Sequence, residues 1–445
     1  MKEINSQTHT YKKTAENMLR FIQKSPSCFH AVHNFAETLM AKGFTELKEE
    51  DEWHLEAGKN YFTTRNSSSI VSFKIPPTAE FKGFSITASH SDSPSFKIKE
   101  NEEIKSGEYT ALNIEKYGGM LCAPWFDRPL SVAGRIICRG QNKDGTIGLV
   151  QKLVNVNKDL LIIPNLAIHM NRNANDGQKY NVQQELLPVY TVTSSNKKLM
   201  QTVAESAGVQ EKDILSADLF LYNRVPGTFW GADDEFIASA QLDDLECAWT
   251  TFKAFISSQN DSYCTVHCVF DNEEVGSQTK QGAASTFLKD TLNRINAGLK
   301  RTDEQFYTAL AQSFMISADN AHAVHPNYTS VADPVNRPVV NKGPVIKFNA
   351  AQKYTTDAFS AALFKQICEN AGVPYQTFTN RSDMAGDSTL GNISGSQVSI
   401  PCVDIGLAQW AMHSPYESAG AKDPALMIRA IEEFYRTSWN LVREN

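Results

Sequence analysis

This sequence has no block of consecutive lysines and arginines, no long apolar run and no regular spacing of cysteines. Each absence removes a class of function. The formal charge of −7 is modest, so no electrostatic partnership with nucleic acid or an anionic membrane is expected. No stretch approaches the ~18 apolar residues that a membrane-spanning helix needs. Met1 to Thr14 is polar and lacks the apolar centre of a signal peptide, so a cytoplasmic location is the expectation. The 8 cysteines, at 28, 122, 138, 247, 264, 268, 368 and 402, are scattered, which suits reduced, mostly buried thiols better than a disulfide framework. Cys264 and Cys268 flank His267 and invite a zinc reading, but they lie in a strand-like run where core packing is the better account. Internal repeats and low-complexity segments are also missing.

What is present is ordinary for a globular protein: 445 residues, 41% of them hydrophobic and 21% charged. That length allows two or three domains, or one large catalytic domain carrying an insertion. Peptide or small-molecule chemistry is the default. Helical patterns cover 11–23 and 28–42, the second entered through Ser25-Pro26-Ser27 and stopped by Gly43. Strand patterns follow at 61–64, 69–75 and 83–89, the last delivering His90-Ser91-Asp92. From about Ser93 to Ala238 the pattern changes to short β-like runs (111–116, 132–138, 160–164, 186–193) separated by Gly, Asn and Pro. After that, 239–257 is helical, with Leu242, Leu245, Trp249, Phe252 and Ile256 at helical spacing and Asp243-Asp244 in the first turn. Helices at 284–295, 303–312, 356–371 and 424–442 then alternate with strands at 314–318, 345–348, 375–379 and 398–405. The pattern predicts an α/β fold in which catalytic parts 1–92 and 239–445, with a mixed central sheet flanked by helices, are split by an inserted β-rich domain at 93–238.

The most informative feature is Glu273-Glu274, in Asp271-Asn272-Glu273-Glu274-Val275-Gly276-Ser277, directly after the apolar run Tyr263 to Phe270. Of two adjacent carboxylates at a strand end, one can bind a metal while its neighbour stays unligated and takes a proton from water that the metal polarises. Taken alone, such a pair is ordinarily a solvated acidic loop. Four further candidates share its position at strand or helix ends: His90, Asp243, Asp319 and His413. Two imidazoles and three carboxylates, one of them bridging, give each of two zinc ions three protein ligands and leave room for a shared hydroxide. Asp92 is placed to hydrogen-bond the non-ligating nitrogen of His90 and fix its tautomer. For each residue separately, a satisfied polar group in a loop is the plainer alternative.

The stretches Ser89-His-Ser-Asp-Ser-Pro94, Gln241-Leu-Asp-Asp-Leu245, Asp271 to Ser277, Ser317-Ala-Asp-Asn-Ala-His-Ala-Val-His-Pro-Asn-Tyr328 and Ala411-Met-His-Ser-Pro415 resemble, in the same order, the aspartyl aminopeptidase family of dinuclear zinc exopeptidases. Asn66-Ser-Ser-Ser-Ile70, Tyr117-Gly-Gly119, Trp125-Phe-Asp-Arg128 and Leu166-Ala-Ile-His-Met-Asn-Arg172 support the resemblance, which runs from about Ser25 to the C-terminal helix. It implies a zinc-exopeptidase-like catalytic domain, an inserted assembly domain and a homo-oligomer, a tetrahedral dodecamer. It also implies two zinc ions per subunit, with another divalent metal possible at one site. His90, Asp243 and Asp319 would hold one ion and Asp243, Glu274 and His413 the other, with Asp243 bridging and Glu273 as general base. The family usually shows Leu-Asp-Asn where this chain has Leu242-Asp243-Asp244, so Asp244 is not carried over as a ligand.

By the same resemblance, Lys347 pairs with an acidic first side chain, Tyr354 lies near the scissile carbonyl oxygen, and His169 reaches the active site of a neighbouring subunit. His322 and His325 are read as supporting groups. Asp387, in the loop Arg381 to Leu390, departs from the family and weakens the case for acidic preference, because a carboxylate there repels an acidic side chain or pairs with Lys347. The implied activity is release of N-terminal residues, Asp or Glu, from peptides. The alternatives are a broader-specificity aminopeptidase, a zinc carboxypeptidase or amidohydrolase on a related scaffold, and a metal-depleted assembly protein with no catalysis.

Overall fold

The computed structural model describes residues 2–141, 144–386 and 389–439, so Asp387 lies outside the described residues. A nine-stranded mixed sheet forms its centre, in the order Thr45–Glu46, Asn60–Arg65, Ser69–Lys74, Tyr263–Phe270, Gly83–His90, Phe314–Ala318, Cys402–Gly406, Val345–Lys347 and Gln376–Phe378. Tyr263–Phe270, Gly83–His90, Phe314–Ala318 and Cys402–Gly406 are consecutive parallel neighbours. Every residue of the first three is buried, because both faces of such a sheet are covered, and this includes the small polar residues Ser85, Thr87 and Ser89. Parallel strands also end on the same side, so the segments that leave them are gathered along one sheet edge.

Side-chain alternation explains the tempting Cys–His–Cys spacing. Cys264, Val266, Cys268 and Phe270 enter one core cluster, with Phe84, Ile86 and Phe287. Tyr263 and Val269 enter the other, beneath the helix Leu242–Ser257. His267 is on that second face, against the rings of Phe35, Phe252 and Phe255. Burial pushes its pKa down to about 3, and Nε2 meets Thr251 Oγ1 at 3.2 Å. It is a neutral core histidine, on the opposite face of the strand from both thiols.

A six-stranded antiparallel sheet is built within Ser95–Asn223, in the order Ile147–Asn155, Leu130–Gln141, Ile214–Asn223, Ser95–Ser106, Tyr109–Tyr117 and Val189–Val192. Three of its strands, and the helix Leu199–Ala207 beside it, have no counterpart in the sequence reading. The outermost strand Ile147–Asn155 is largely exposed, and Ser95–Ser106 loses its alternation in the charged run after Ile98. Neither therefore carries the period of two that marks a half-buried strand. Residues 160–164, read as a strand, make only isolated bridges. Thr228–Trp230 and Phe236–Ser239 do not join the six-stranded sheet. They pair instead into a five-stranded sheet with Glu417–Gly420, Ala408–Trp410 and Ala321–His322. No helix among the described residues is long and apolar enough to cross a membrane.

A half-buried lysine, Lys74, ties helix to sheet. Lys74 Nζ donates to the carbonyls of Phe255 (2.6 Å), Ile256 (3.3 Å) and Ser258 (2.6 Å), at the C-terminal end of Leu242–Ser257, where the intrahelical ladder runs out. Lys74→Met keeps the apolar stem but strands these acceptors. The expected cost is about 1–3 kcal/mol, read as a lower urea midpoint at unchanged slope. An unchanged midpoint would mean that water satisfies the helix end equally well.

Candidate metal centre

Three backbone turns bring the site together, each holding a non-glycine residue in the left-handed region. Gln241 (φ 57°) precedes Asp243, Asn272 (φ 62°) precedes Glu273-Glu274, and His413 itself has φ 67°. Such conformations cost of order 1–3 kcal/mol each and persist where packing imposes them, commonly at functional sites. His90 comes from the end of the strand Gly83–His90, and Asp319 directly follows Phe314–Ala318.

The donor atoms converge. His90 Nε2 lies 3.4 Å from Asp243 Oδ1 and 3.8 Å from Asp319 Oδ1. His413 Nε2 lies 3.3 Å from Asp243 Oδ2 and 3.4 Å from Glu274 Oε2. A tetrahedral zinc with ligands at about 2.0–2.2 Å spaces them roughly 3.3–3.6 Å apart. The two groups therefore have near-tetrahedral edge lengths, and Asp243 offers a different oxygen to each. Asp243 Oδ1, which faces His90, is buried without a hydrogen-bond partner, as expected of an atom reserved for a cation. The residues present fit two zinc ions.

The electrostatics point the same way. Burial and then the charge of Asp243 push the Glu274 carboxyl well above its ordinary range. Burial opposes a charge on His90, but Asp244, Asp243, Asp319 and Asp92 together raise its pKa well above the usual value. For His413, burial is again outweighed, chiefly by Asp243, and the pKa rises to about 9. Carboxylates packed this closely need positive charge among them, and a bound cation supplies it in place of protons.

Asp92 does more than its expected part. The His90 Nδ1 ring nitrogen meets the Asp92 backbone oxygen at 3.1 Å and its carboxylate at 3.4 Å. That carboxylate also accepts the backbone N–H groups of Glu273 and Glu274, both at 3.1 Å. Glu417, which the sequence reading did not name, and Asp244, which it did not carry over as a ligand, support the centre. Glu417, fully buried, accepts the N–H of Asp243 (3.0 Å) and of His413 (2.7 Å). Asp244, also fully buried, accepts the N–H of His90 at 3.0 Å and keeps Oδ1 unpartnered. The proximity of Glu417 to His413 in sequence was the only available signal for it.

A cleft of about 480 Å³ opens on the centre, lined among others by Glu273, His322, Lys347, Tyr354, Phe378 and Thr389. Lys347 is buried, with Nζ donating to the Asn320 carbonyl at 3.1 Å and lying 3.6 Å from Asp319 Oδ2. Burial works against its charge, but Asp319, Tyr354 and Asp404 more than offset it and raise its pKa. The Tyr354 ring lies 5.3 Å from that ammonium. His169 is elsewhere: it is exposed in the segment after Ile163 and does not line this cleft. His325 ring-packs on Tyr328, outside the donor set.

Comparison with known proteins agrees with this chemistry. The profile of the family described as Aminopeptidase I zinc metalloprotease (M18) matches residues 21–435. A probable M18 family aminopeptidase 2 of Clostridium acetobutylicum is 44% identical over 427 residues, covering 95% of this chain and 98% of the relative. One from Pseudomonas aeruginosa is 39% identical over 430 residues, with the same coverage. Among solved structures, the complex of Ape4 and Nbr1 gives a TM-score of 0.91 at 34% identity, covering 96% of this chain and 86% of that one. The mApe1 dodecamer of yeast gives 0.82 at 27% identity, covering 96% and 97%.

Proposed function

This chain belongs to the aminopeptidase I zinc metalloprotease (M18) family, and from that premise we propose that it removes N-terminal Asp or Glu from peptides at a site holding two zinc ions per subunit. The observation that carries this reading is Asp243, with one oxygen directed to the His90 and Asp319 group and the other to the His413 and Glu274 group. Another divalent metal at one of the two positions is compatible with the same donors.

When bound, zinc supplies Lewis acidity at the scissile carbonyl and makes water a stronger acid. The chain's own residues do the rest. Glu273, next to the ligand Glu274 but outside both near-tetrahedral groups, accepts a proton from the attacking water on its carboxylate. It then delivers that proton to the departing amine nitrogen as the C–N bond breaks. Lys347 pairs with the carboxylate of the first side chain, and the Tyr354 phenol stabilises charge developing on the carbonyl oxygen.

His169 acts in this reading from a neighbouring subunit. Leu166, Ile168 and Met170 beside it are exposed, the kind of apolar surface that a second copy covers. The mApe1 relative is a dodecamer, and a tetrahedral dodecamer assembled through residues 93–238 is the form we propose, acting on peptides in the cytoplasm, where 8 free cysteines stay reduced. His169→Phe should lower turnover on the order of 10–100-fold with zinc content and particle mass unchanged. Unaltered steady-state kinetics would return His169 to the surface.

One observation favours a broader specificity. Lys347 already has Asp319 and the Asn320 carbonyl as partners, so a neutral first residue leaves no bare charge. Zinc-loaded protein assayed on dipeptides beginning with Asp, Glu, Leu or Ala, with N-acetylated controls, decides. Acidic preference appears as the highest kcat/KM for Asp and Glu, and cleavage of the acetylated controls would rule out an aminopeptidase.

A further inference from the structure

The six-stranded sheet reaches the metal centre through the segment that ends Tyr109–Tyr117. At the end of Tyr109–Tyr117, the Tyr117 hydroxyl donates to Asp92 Oδ2 at 2.7 Å and accepts from Asn272 Nδ2 at 2.8 Å. Asp92 is the carboxylate that holds the N–H groups of both Glu273 and Glu274, and Asn272 is the left-handed residue that starts their turn. Asn272 is itself braced, its Oδ1 accepting from Thr279 (2.9 Å) and Gln281 (2.7 Å). The next residue approaches the turn closely, in a backbone conformation that favours glycine. Gly118 has φ +79°, and a Cβ there would meet Glu274 Cβ at 3.1 Å. Three residues on, the Leu121 N–H donates to the carbonyl of His413 at 3.2 Å. The segment Tyr117 to Leu121 therefore touches the backbone of the Glu273–Glu274 turn on one side and that of His413 on the other.

We propose that Tyr117 is a positioning residue: its hydroxyl, delivered by the β-rich sheet, locks Asp92 to Asn272 and so fixes the Glu273–Glu274 turn relative to His90. The Asp92 carboxylate receives three hydrogen bonds, two from the turn and one from Tyr117. Without the phenol, the carboxylate is free to rotate away from the turn, and the two glutamates lose their common anchor. Burial raises the Tyr117 pKa, and Asp92 raises it further, so the hydroxyl remains a donor at any working pH. The ring is held independently, edge-on to Phe220 with centroids 5.4 Å apart. The oxygen can therefore be removed without moving the ring. The inserted sheet becomes a working part of the catalytic centre as well as an assembly surface.

This inference rests on the metal-centre reading, so its test includes a measurement independent of activity. In Tyr117→Phe, zinc affinity, measured by competition with a chromogenic chelator, should weaken on the order of 10-fold because Glu274 is no longer held, and kcat on a dipeptide should fall on the order of 10–100-fold at nearly constant KM. Either change supports the proposal. A variant with the parent's zinc affinity and kcat overturns it, and a lowered melting temperature with both values unchanged does the same, leaving Tyr117 a packing role. If the parent chain neither binds zinc nor cleaves peptides, the metal-centre reading fails and this inference fails with it. A parent that does both beside an indistinguishable variant counts against Tyr117 alone.

Discussion

Glu273→Gln is expected to keep its zinc and lose turnover on the order of 10²–10⁴-fold, the usual contribution of a positioned general base. The glutamine has nearly the same shape and preserves the backbone N–H bond to Asp92 Oδ1 at 3.1 Å, so the turn and its neighbour Glu274 stay in place. What is lost is the proton acceptor. Burial, and then Asp319, Asp92 and Asp243 against the opposing effect of His90, push the Glu273 carboxyl up to about 8. A competing account places Glu273 among the ligands, since one of its oxygens lies within 4.8 Å of donor atoms on His90 and Glu274. Zinc analysis of the purified variant separates the two. Retained zinc with lost activity marks a base, lost zinc marks a ligand, and near-normal hydrolysis by the zinc-loaded variant removes Glu273 from the mechanism.

The second large effect concerns Lys347→Leu. If the ammonium pairs with the first side chain in a pocket closed to water, an acidic substrate loses its partner and should forfeit about 2–5 kcal/mol of transition-state binding. Substrates beginning with leucine should lose far less, or gain. Lys347 also lies 3.6 Å from Asp319 Oδ2 while Asp319 Oδ1 faces His90, so the substitution removes a charge beside a candidate ligand. Zinc content must therefore be measured alongside kcat/KM for Asp, Glu, Leu and Ala substrates. A loss confined to Asp and Glu assigns specificity to Lys347. Equal losses across all four, with zinc depleted, would show that the lysine serves Asp319, and acidic preference would then have no residue to rest on.

The sequence by itself determined the α/β core and the family. Tyr263–Phe270 and Phe314–Ala318 were legible to the residue, because each is a short, mostly apolar run bounded by polar residues. The ligand candidates were legible as residue types at strand and helix ends, and the collinear motifs placed them. Three things were decided only by tertiary structure. The near-tetrahedral distances arise because the chain folds His90, Asp243, Glu274, Asp319 and His413 onto one sheet edge from five separate segments, and no local period encodes that convergence. The supporting carboxylates Glu417 and Asp244 could not be told from surface acids, since burial is a property of the folded chain and not of the residue. The strands missed in the six-stranded sheet escaped for a different reason: their hydrogen bonds are set by neighbouring strands distant in sequence, and in Ile147–Asn155 at the sheet's edge and in the charged half of Ser95–Ser106 the side chains carry no alternation to read.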